Sequence, residues 1–486
     1  MSRKYIIVFK TGTSKKITVN IRQMEKYLQQ YAEPEASALV GLPDLEAWMN
    51  VVVIPACNED SRCLRSPPLC GGRSLMILVI NESQSASSSV SSNNRALALA
   101  VAEKFVLQWQ TTAATEQGFG LKLFRDEVAK RDVLLVDRFS EGRTLPVKGG
   151  VGQARKIGVD LATSLIHRGR IKSPWIHCTD GDVRLPETYF SSSNQLQNQG
   201  AEYSTLIYPF FHCNDQASAE QNEIELATQL YELSLRYYVA GMKLAGSPYA
   251  FHTIGSTMAV RANHYAKVRG FPRRAAGEDF YLLNKLAKVG LVMELHSGPE
   301  CLPLEIESRR SERVPFGTGA AVNKITALTE PVGEFRFYDP MVFELLGYWL
   351  STWPAIWDSR STDFSATVLA IQPVTDKQRD GLRLLVSGLG EIGVKRALDH
   401  AFRQSKSLDQ FTKQMHTWFD AFRTLKLIHF LRDQDLVSVS YAELLSRQGF
   451  QRLLDQDADL RDFHNRLKDS IQAIQMQSEP GSVSTV

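Results

Sequence analysis

"VVVIPACNED", Val51 to Asp60, runs from four consecutive β-branched residues into the polar triplet Asn58, Glu59 and Asp60. The same order, an apolar run followed by polar groups, recurs downstream in "LMILVI" from Leu75, "DVLLVD" from Asp132, "PWIHCTD" from Pro174 and "YSTLIYPFF" from Tyr203. Helical patterns separate the runs. Asn94–Trp109 reads as a helix. So does Gly152–His167, where Ala154, Ile157, Leu161 and Leu165 form an apolar stripe. A longer helix covers Gln221–Leu244. Strands alternating with helices argue for βα units and an α/β fold around a mostly parallel sheet.

The rest of the chain divides around this region. Residues 1–48 read as an N-terminal extension, with a strand at Tyr5–Phe9, a Lys-rich turn and a helical stretch at Ile21–Tyr31, and offer no legible chemistry. The α/β domain takes 49–335. Within it "SQSASSSVSSNN", Ser83–Asn94, has the composition of a mobile loop. Beyond Tyr338 amphipathic helices take over, giving a helical C-terminal domain over 336–476 and a disordered tail over 477–486.

Composition narrows the function. The chain has 486 residues, 43% of them hydrophobic, enough for a full core without metal or disulfide staples. Lys and Arg number 56 against 53 Asp and Glu, and a net charge of +3 over this length excludes a general electrostatic binder of nucleic acid. Six cysteines stand at 57, 63, 70, 178, 213 and 301, with no Cys-x-x-Cys pair, so free thiols in a reducing cytosol and a cytoplasmic protein are expected. Ile6–Phe9 is too short for a signal peptide core, and "LMILVI" falls far below the roughly 20 residues of a membrane helix, so no transmembrane segment is expected. A homo-oligomer is compatible with all of this.

In an open parallel sheet, ligands bind beyond the carboxyl ends of the strands. Here those ends carry Asn58, Glu59 and Asp60; Asn81, Glu82 and Ser83; Asp137 and Arg138; and Asp180 with Asp182. Each set alone could serve a turn or a helix cap. In Asp180-Gly181-Asp182 two carboxylates one residue apart, with a glycine free to take an unusual backbone conformation, suit a divalent cation that bridges substrate phosphates. Pro186 would start the next helix. Downstream, Glu278 and Asp279 open an amphipathic helix whose apolar face is Leu282, Leu283, Leu286 and Val289. Carboxylates there favour the positive helix end, or one of them serves as a general base toward an acceptor hydroxyl.

These stretches, with "LVINES" (78–83), "GVGQARKIGVDLA" (150–162), "TDGDVRLPETYF" (179–190) and "GSTMAVRANHYAKVRGFPRRAAGEDF" (255–280), resemble glycosyltransferase family 2, in family order over residues 50–300. The resemblance implies a GT-A, Rossmann-like sheet and transfer of a sugar from a nucleotide-diphosphate sugar to a hydroxyl acceptor. It implies that Pro55, Asn58, Glu59, Asn81, Glu82 and Ser83 hold the donor's base and ribose. Asp182 becomes a direct ligand of Mn2+ or Mg2+, with Asp180 at the ribose or the metal. Asp279 of the Glu278-Asp279 pair becomes the base, and His296 an additional metal ligand. Arg155 and Lys156 are placed to assist the diphosphate, as are Arg310 and Arg313 in "RRSERVPFGTG" (309–319). If Arg273 and Arg274 face the acceptor, an anionic acceptor such as a glycerate or phosphate compound is favoured; as exposed arginines they equally face solvent. Inversion is preferred to retention, which a Glu-Asp pair leaves open. The rival readings are a non-catalytic sugar-nucleotide scaffold and a sugar nucleotidyltransferase. The latter would want a Gly-rich basic loop that "PACNEDSRCLRSPPLCGG" (55–72) lacks.

Overall fold

The computed structural model describes residues 14–65, 72–111, 119–196, 202–214, 218–299, 301–311 and 317–478. Two compact units result, one from Met1–Pro209 with Ile254–Leu304, the other from Phe210–Thr253 with Glu305–Val486. Tyr5–Phe9, read as a strand, and residues 479–486 of the tail lie outside the described residues.

The first unit is built on a nine-stranded sheet. Its strands are β1 (Asn50–Ala56), β2 (Ser74–Asn81), β3 (Val106–Gln110), β4 (Gly120–Asp126), β5 (Arg131–Arg138), β6 (Trp175–Cys178), β7 (Tyr203–Ile207), β8 (Met258–Arg261) and β9 (Leu291–Glu294). They lie in the order β9-β7-β8-β6-β1-β2-β5-β4-β3. The centre, β6-β1-β2-β5, is parallel throughout. β8 runs against both β6 and β7, and β4 against both β5 and β3. The α/β expectation is met, with two reversed strands set into a sheet that otherwise shares one direction.

Helices flank the sheet: α1 (Ser14–Gln30), α2 (Ser88–Lys104), α3 (Gly150–His167) and α4 (Glu278–Leu286). Every residue of β1 and β2 is buried, as covered parallel strands require. α3 lies directly on them. A Cβ at Gly158 would come within 2.3 Å of Val53 Cγ1, so only glycine lets this helix sit at that distance.

Three local expectations change. Ser83–Asn94 is not a loop throughout: α2 begins at Ser88, and two of its polar side chains, Ser91 and Asn94, bond inward while the others stay exposed. Asn94 is fully buried, its Nδ2 donating to the Asn81 carbonyl at 3.2 Å and its Oδ1 accepting from the Asn58 amide at 3.0 Å. The helix read to Trp109 stops at Lys104, where Phe105 turns extended and the chain becomes the edge strand β3. "YSTLIYPFF" is not one strand. β7 ends at Ile207, ahead of Pro209, whose missing N–H cannot join a central ladder. Phe210–Cys213 forms a strand of the second unit.

The second unit packs helices around Ala219–Leu244, including Met341–Ser351 and Ala458–Ser478. Gly241 on the long helix admits the Phe343 ring, which a Cβ would meet at 2.4 Å. Trp349, Leu385, Leu389, Phe411, Met415 and Leu427 supply part of its buried core. Among the described residues no helix is long and apolar enough to cross a membrane.

Candidate active site

Just beyond β6 the chain turns at Asp180-Gly181-Asp182, closed by the Val183 amide donating to the Asp180 carbonyl at 3.3 Å. The glycine is there for room rather than for an unusual backbone angle: Gly181 is not among the glycines with positive φ. A Cβ at 181 would lie 2.9 Å from Glu59 Cγ and 3.2 Å from Cys63 Cβ. The loop after β1 therefore presses on the aspartate turn. Pro186 starts no helix directly; the next helical turn begins at Ser191.

The turn is tied to a distant segment by one buried cation. Arg155, in the first turns of α3, is 3% exposed. Its Nη2 donates to Asp180 Oδ1 at 2.5 Å, and its Nη1 donates to Glu278 Oε1. Gly255 makes this possible, since a Cβ there would stand 2.5 Å from Arg155 Nη1. The loop before α4 is held just as closely. The Gly152 amide donates to the Arg274 carbonyl at 3.1 Å, and a Cβ at Gly152 would meet that oxygen at 2.4 Å. Thus the start of α3 positions both the aspartate turn and the start of α4.

Burial would lower the Arg155 pKa, but the Asp180 and Glu278 carboxylates outweigh it and lift it above its ordinary value, so the guanidinium stays charged. Burial lifts the Glu278 carboxyl above its usual range; Arg155 opposes this and the neighbouring Asp279 charge adds to it. Asp279 is lifted by burial as well, against the pull of Arg155 and of the Phe280 and Gly255 amides. The Phe280 amide donates to Asp279 Oδ1 at 2.7 Å. Under the turn, His177 is fully buried and pushed down to about 3 by burial. It is a neutral core histidine, in hydrogen-bond contact with the Val51 carbonyl, Ser193 and Tyr208.

The other donor-side residues divide. Pro55 is buried inside β1, opposite Val79. Asn58 takes a left-handed φ of 58°, a conformation Asn tolerates, and accepts from Asn93 Nδ2 at 2.7 Å. Glu59 is buried against Gly181. Asp60 caps the short turn after it by accepting from the Arg62 amide at 2.7 Å. Glu82 spends one carboxylate oxygen on Ser91 Oγ at 2.5 Å and the other on Asn94 Nδ2 at 3.4 Å. Ser83 is half-buried beside Ser85. Asn81 differs from its neighbours: it is buried at the end of β2, and its Oδ1 has no hydrogen-bond partner among the described residues.

The remaining candidates have other surroundings. Lys156 turns to a separate cluster, donating to Asp160 Oδ2 at 2.7 Å, Tyr27 Oη at 2.9 Å and the Tyr31 carbonyl at 3.0 Å. Arg273 pairs with Glu33, and Arg274 stacks on the Tyr281 ring at 3.8 Å. His296 is exposed after β9. Arg310 is exposed on the second unit, and Arg313 lies outside the described residues.

The donor set suits a hard divalent cation. Asp180 and Asp182 are partly exposed carboxylates in one turn. Among the described residues no group of three or more His, Cys, Asp or Glu could hold a metal ion. Such a cation would need further oxygens from a ligand, as Mg2+ does when it binds one or two carboxylates and substrate phosphates.

Neither a protein-family model nor a curated protein matches the chain. Among solved structures it is similar to S. aureus TarS 1–349 in complex with UDP-GlcNAc, at 10% identity and a TM-score of 0.34, covering 76% of this chain and 91% of that one. It is also similar to S. aureus TarS 1–349 alone, at 10% identity and a TM-score of 0.31, covering 76% and 90%. Likeness at this level assigns neither a residue nor a substrate.

Residues that sequence reasoning missed include Asp160, Tyr27 and Glu33; Asp180 and Glu278 were named, but not their pairing with Arg155. Their signal was present in α3: Arg155, Lys156, Asp160 and Thr163 interrupt a stretch otherwise able to bury every face, and all four are buried. A buried charge of this kind requires a partner somewhere in the chain.

Proposed function

We propose that the first unit transfers a sugar from a nucleotide-diphosphate sugar to a hydroxyl of a small acceptor. The observation that carries this is the buried Arg155, which gathers Asp180 of the turn and Glu278 of α4 around one guanidinium and sets Asp279 beside them. Asp180, Glu278 and Asp279 are three carboxyl groups around one buried cation, a field that would repel a diphosphate. A divalent cation resolves this conflict, and Asp182 and Asp180 of the turn are the residues to hold it. When bound, Mn2+ or Mg2+ supplies charge neutralisation for the departing diphosphate.

The chain's own residues do the rest. Arg155 fixes Asp180 and Glu278 so that neither carboxylate swings into the donor site. Asp279 serves as the base: one oxygen is held by the Phe280 amide, and its raised pKa makes it a better proton acceptor for an acceptor hydroxyl than an ordinary aspartate. A base that deprotonates the acceptor favours inversion. Asn81 Oδ1, a buried acceptor without a partner among the described residues, is suited to an N–H of the donor base. Of the two arginines in the 271–277 segment, Arg274 has no carboxylate contact among the described residues, and an anionic acceptor would meet it.

The test is thermal stabilisation of the full chain by UDP-, GDP- and ADP-sugars with and without Mn2+. One donor class should shift the melting temperature in a Mn2+-dependent way, and Asp182→Asn should abolish the metal-dependent part. No shift with any donor would sink this reading, and a shift without any turnover would favour the non-catalytic scaffold.

A further inference from the structure

From Tyr27 to Leu39 the N-terminal segment runs along α3. Asp160, fully buried on that helix, accepts from Tyr27 Oη at 2.5 Å, Tyr265 Oη at 2.9 Å, Lys156 Nζ at 2.7 Å and the Glu33 amide at 2.8 Å. Farther along, Ser164 Oγ donates to the Ala36 carbonyl at 2.8 Å. A buried carboxylate with four donors is fully satisfied, and such networks hold their members in one arrangement.

Glu33 is the residue where this network reaches outward. Its backbone amide is bound to Asp160, and its buried carboxylate takes Arg273 in a two-pronged contact, Nε to Oε1 at 2.7 Å and Nη2 to Oε2 at 3.1 Å. Arg273 itself is 60% exposed, so Glu33 holds a surface segment from beneath. That segment, Phe271–Gly277, leads directly into Glu278 and Asp279. Its other ties include the Phe271 amide donating to Tyr265 Oη at 3.3 Å, the Arg274 carbonyl on the Gly152 amide, Arg274 on the Tyr281 ring and, just before the segment, Lys285 Nζ on the Gly270 carbonyl at 2.7 Å.

We infer that Glu33 is a positioning residue of the transfer site: by clamping Arg273 onto the Asp160 network it fixes the approach to α4 and with it the aim of Asp279. This rests on the transferase reading. It gives the N-terminal segment a place in the site and occupies Arg273 with a structural contact. A misplacement of about 1 Å at a reacting group costs up to about 100-fold in rate; loss of one of several anchors should cost about 10-fold.

Glu33→Gln in the full chain keeps the shape and removes the charge. Expected are faster deuterium exchange confined to the Phe271–Gly277 segment, a kcat about 10-fold lower for transfer to the hydroxyl acceptor, and an unchanged donor-induced thermal shift. Arg273→Lys, which keeps the charge but not the two-pronged contact, should fall between the parent and Glu33→Gln, and Glu33→Gln with Arg273→Gln should be no worse in kcat than Glu33→Gln alone. Unchanged exchange, or faster exchange with unchanged kcat, overturns the inference. So does a donor shift lost in parallel with kcat, which would mark Glu33 as a support of the whole unit. Failure of the parent chain to respond to any donor refutes the transferase reading instead, and the exchange measurement then decides the clamp by itself.

Discussion

Replacing Arg155 by Met tests whether one cation holds the site together. The substitution keeps an apolar stem of similar length and leaves Glu278, whose side chain is 3% exposed, as a buried charge without its partner. Removing one member of a buried pair costs about 3–5 kcal/mol. The Asp180 contact adds little, because that side chain is 36% exposed and exposed pairs are worth about 0–1 kcal/mol. A loss near the lower end, about 3 kcal/mol, corresponds to a melting temperature lower by roughly 6–12 °C for a unit of this size. The pH dependence has a definite sign. Burial and the Asp279 charge lift the Glu278 pKa while Arg155 pulls it down, so without Arg155 it rises further. A carboxyl whose pKa is raised on folding binds its proton more tightly in the folded state. Stability is therefore lost as pH climbs from the usual glutamate value of about 4.3 toward the raised one. The deficit of Arg155→Met should be small near pH 5 and grow as pH rises above about 7, the value to which Glu278 is already lifted in the parent, measured as thermal melts of the first unit's transition. Adding Glu278→Gln should recover most of it, since no unpaired buried charge then remains. A variant melting with the parent at pH 8, or a deficit that grows on acidification, would refute the reasoning.

Two further outcomes follow from the same geometry. Asp279→Asn should lower kcat by about 100- to 10,000-fold in a transfer assay while the donor-induced thermal shift persists, because the base is lost and the donor contacts are kept. Gly181→Ala should destabilise the unit by about 1–3 kcal/mol in chemical denaturation and weaken the Mn2+-dependent donor shift, since its Cβ would lie 2.9 Å from Glu59 Cγ.

The strands at the middle of the sheet were legible because their signal is local. Val51–Ile54, Leu75–Ile80 and Val133–Val136 are short runs rich in apolar residues, as strands covered on both faces are. The flanking pair β3 and β4 was less so. "VLQWQ" continues a helical pattern until the chain meets the sheet edge, and only pairing with "GLKLFRD" makes it a strand. The Ser/Asn-rich start of α2 misled for a related reason. Its composition is that of a solvated loop, yet Ser91 and Asn94 find partners in Glu82 and in the Asn81 carbonyl.

What the sequence alone determined, then, is the order of the central strands and helices and the gathering of polar residues at the strand ends, because side-chain periodicity and turn chemistry act over a few neighbouring residues. What tertiary structure decided is which charges meet. Arg155 and Lys156 are adjacent in the chain, but successive residues on a helix point about 100° apart. One therefore reaches Asp180 and Glu278, and the other Asp160 and Tyr27. Glu33 meets Arg273 across 240 residues for the same reason: a buried charge takes the partner that the packed fold brings to it, and no local pattern records that distance.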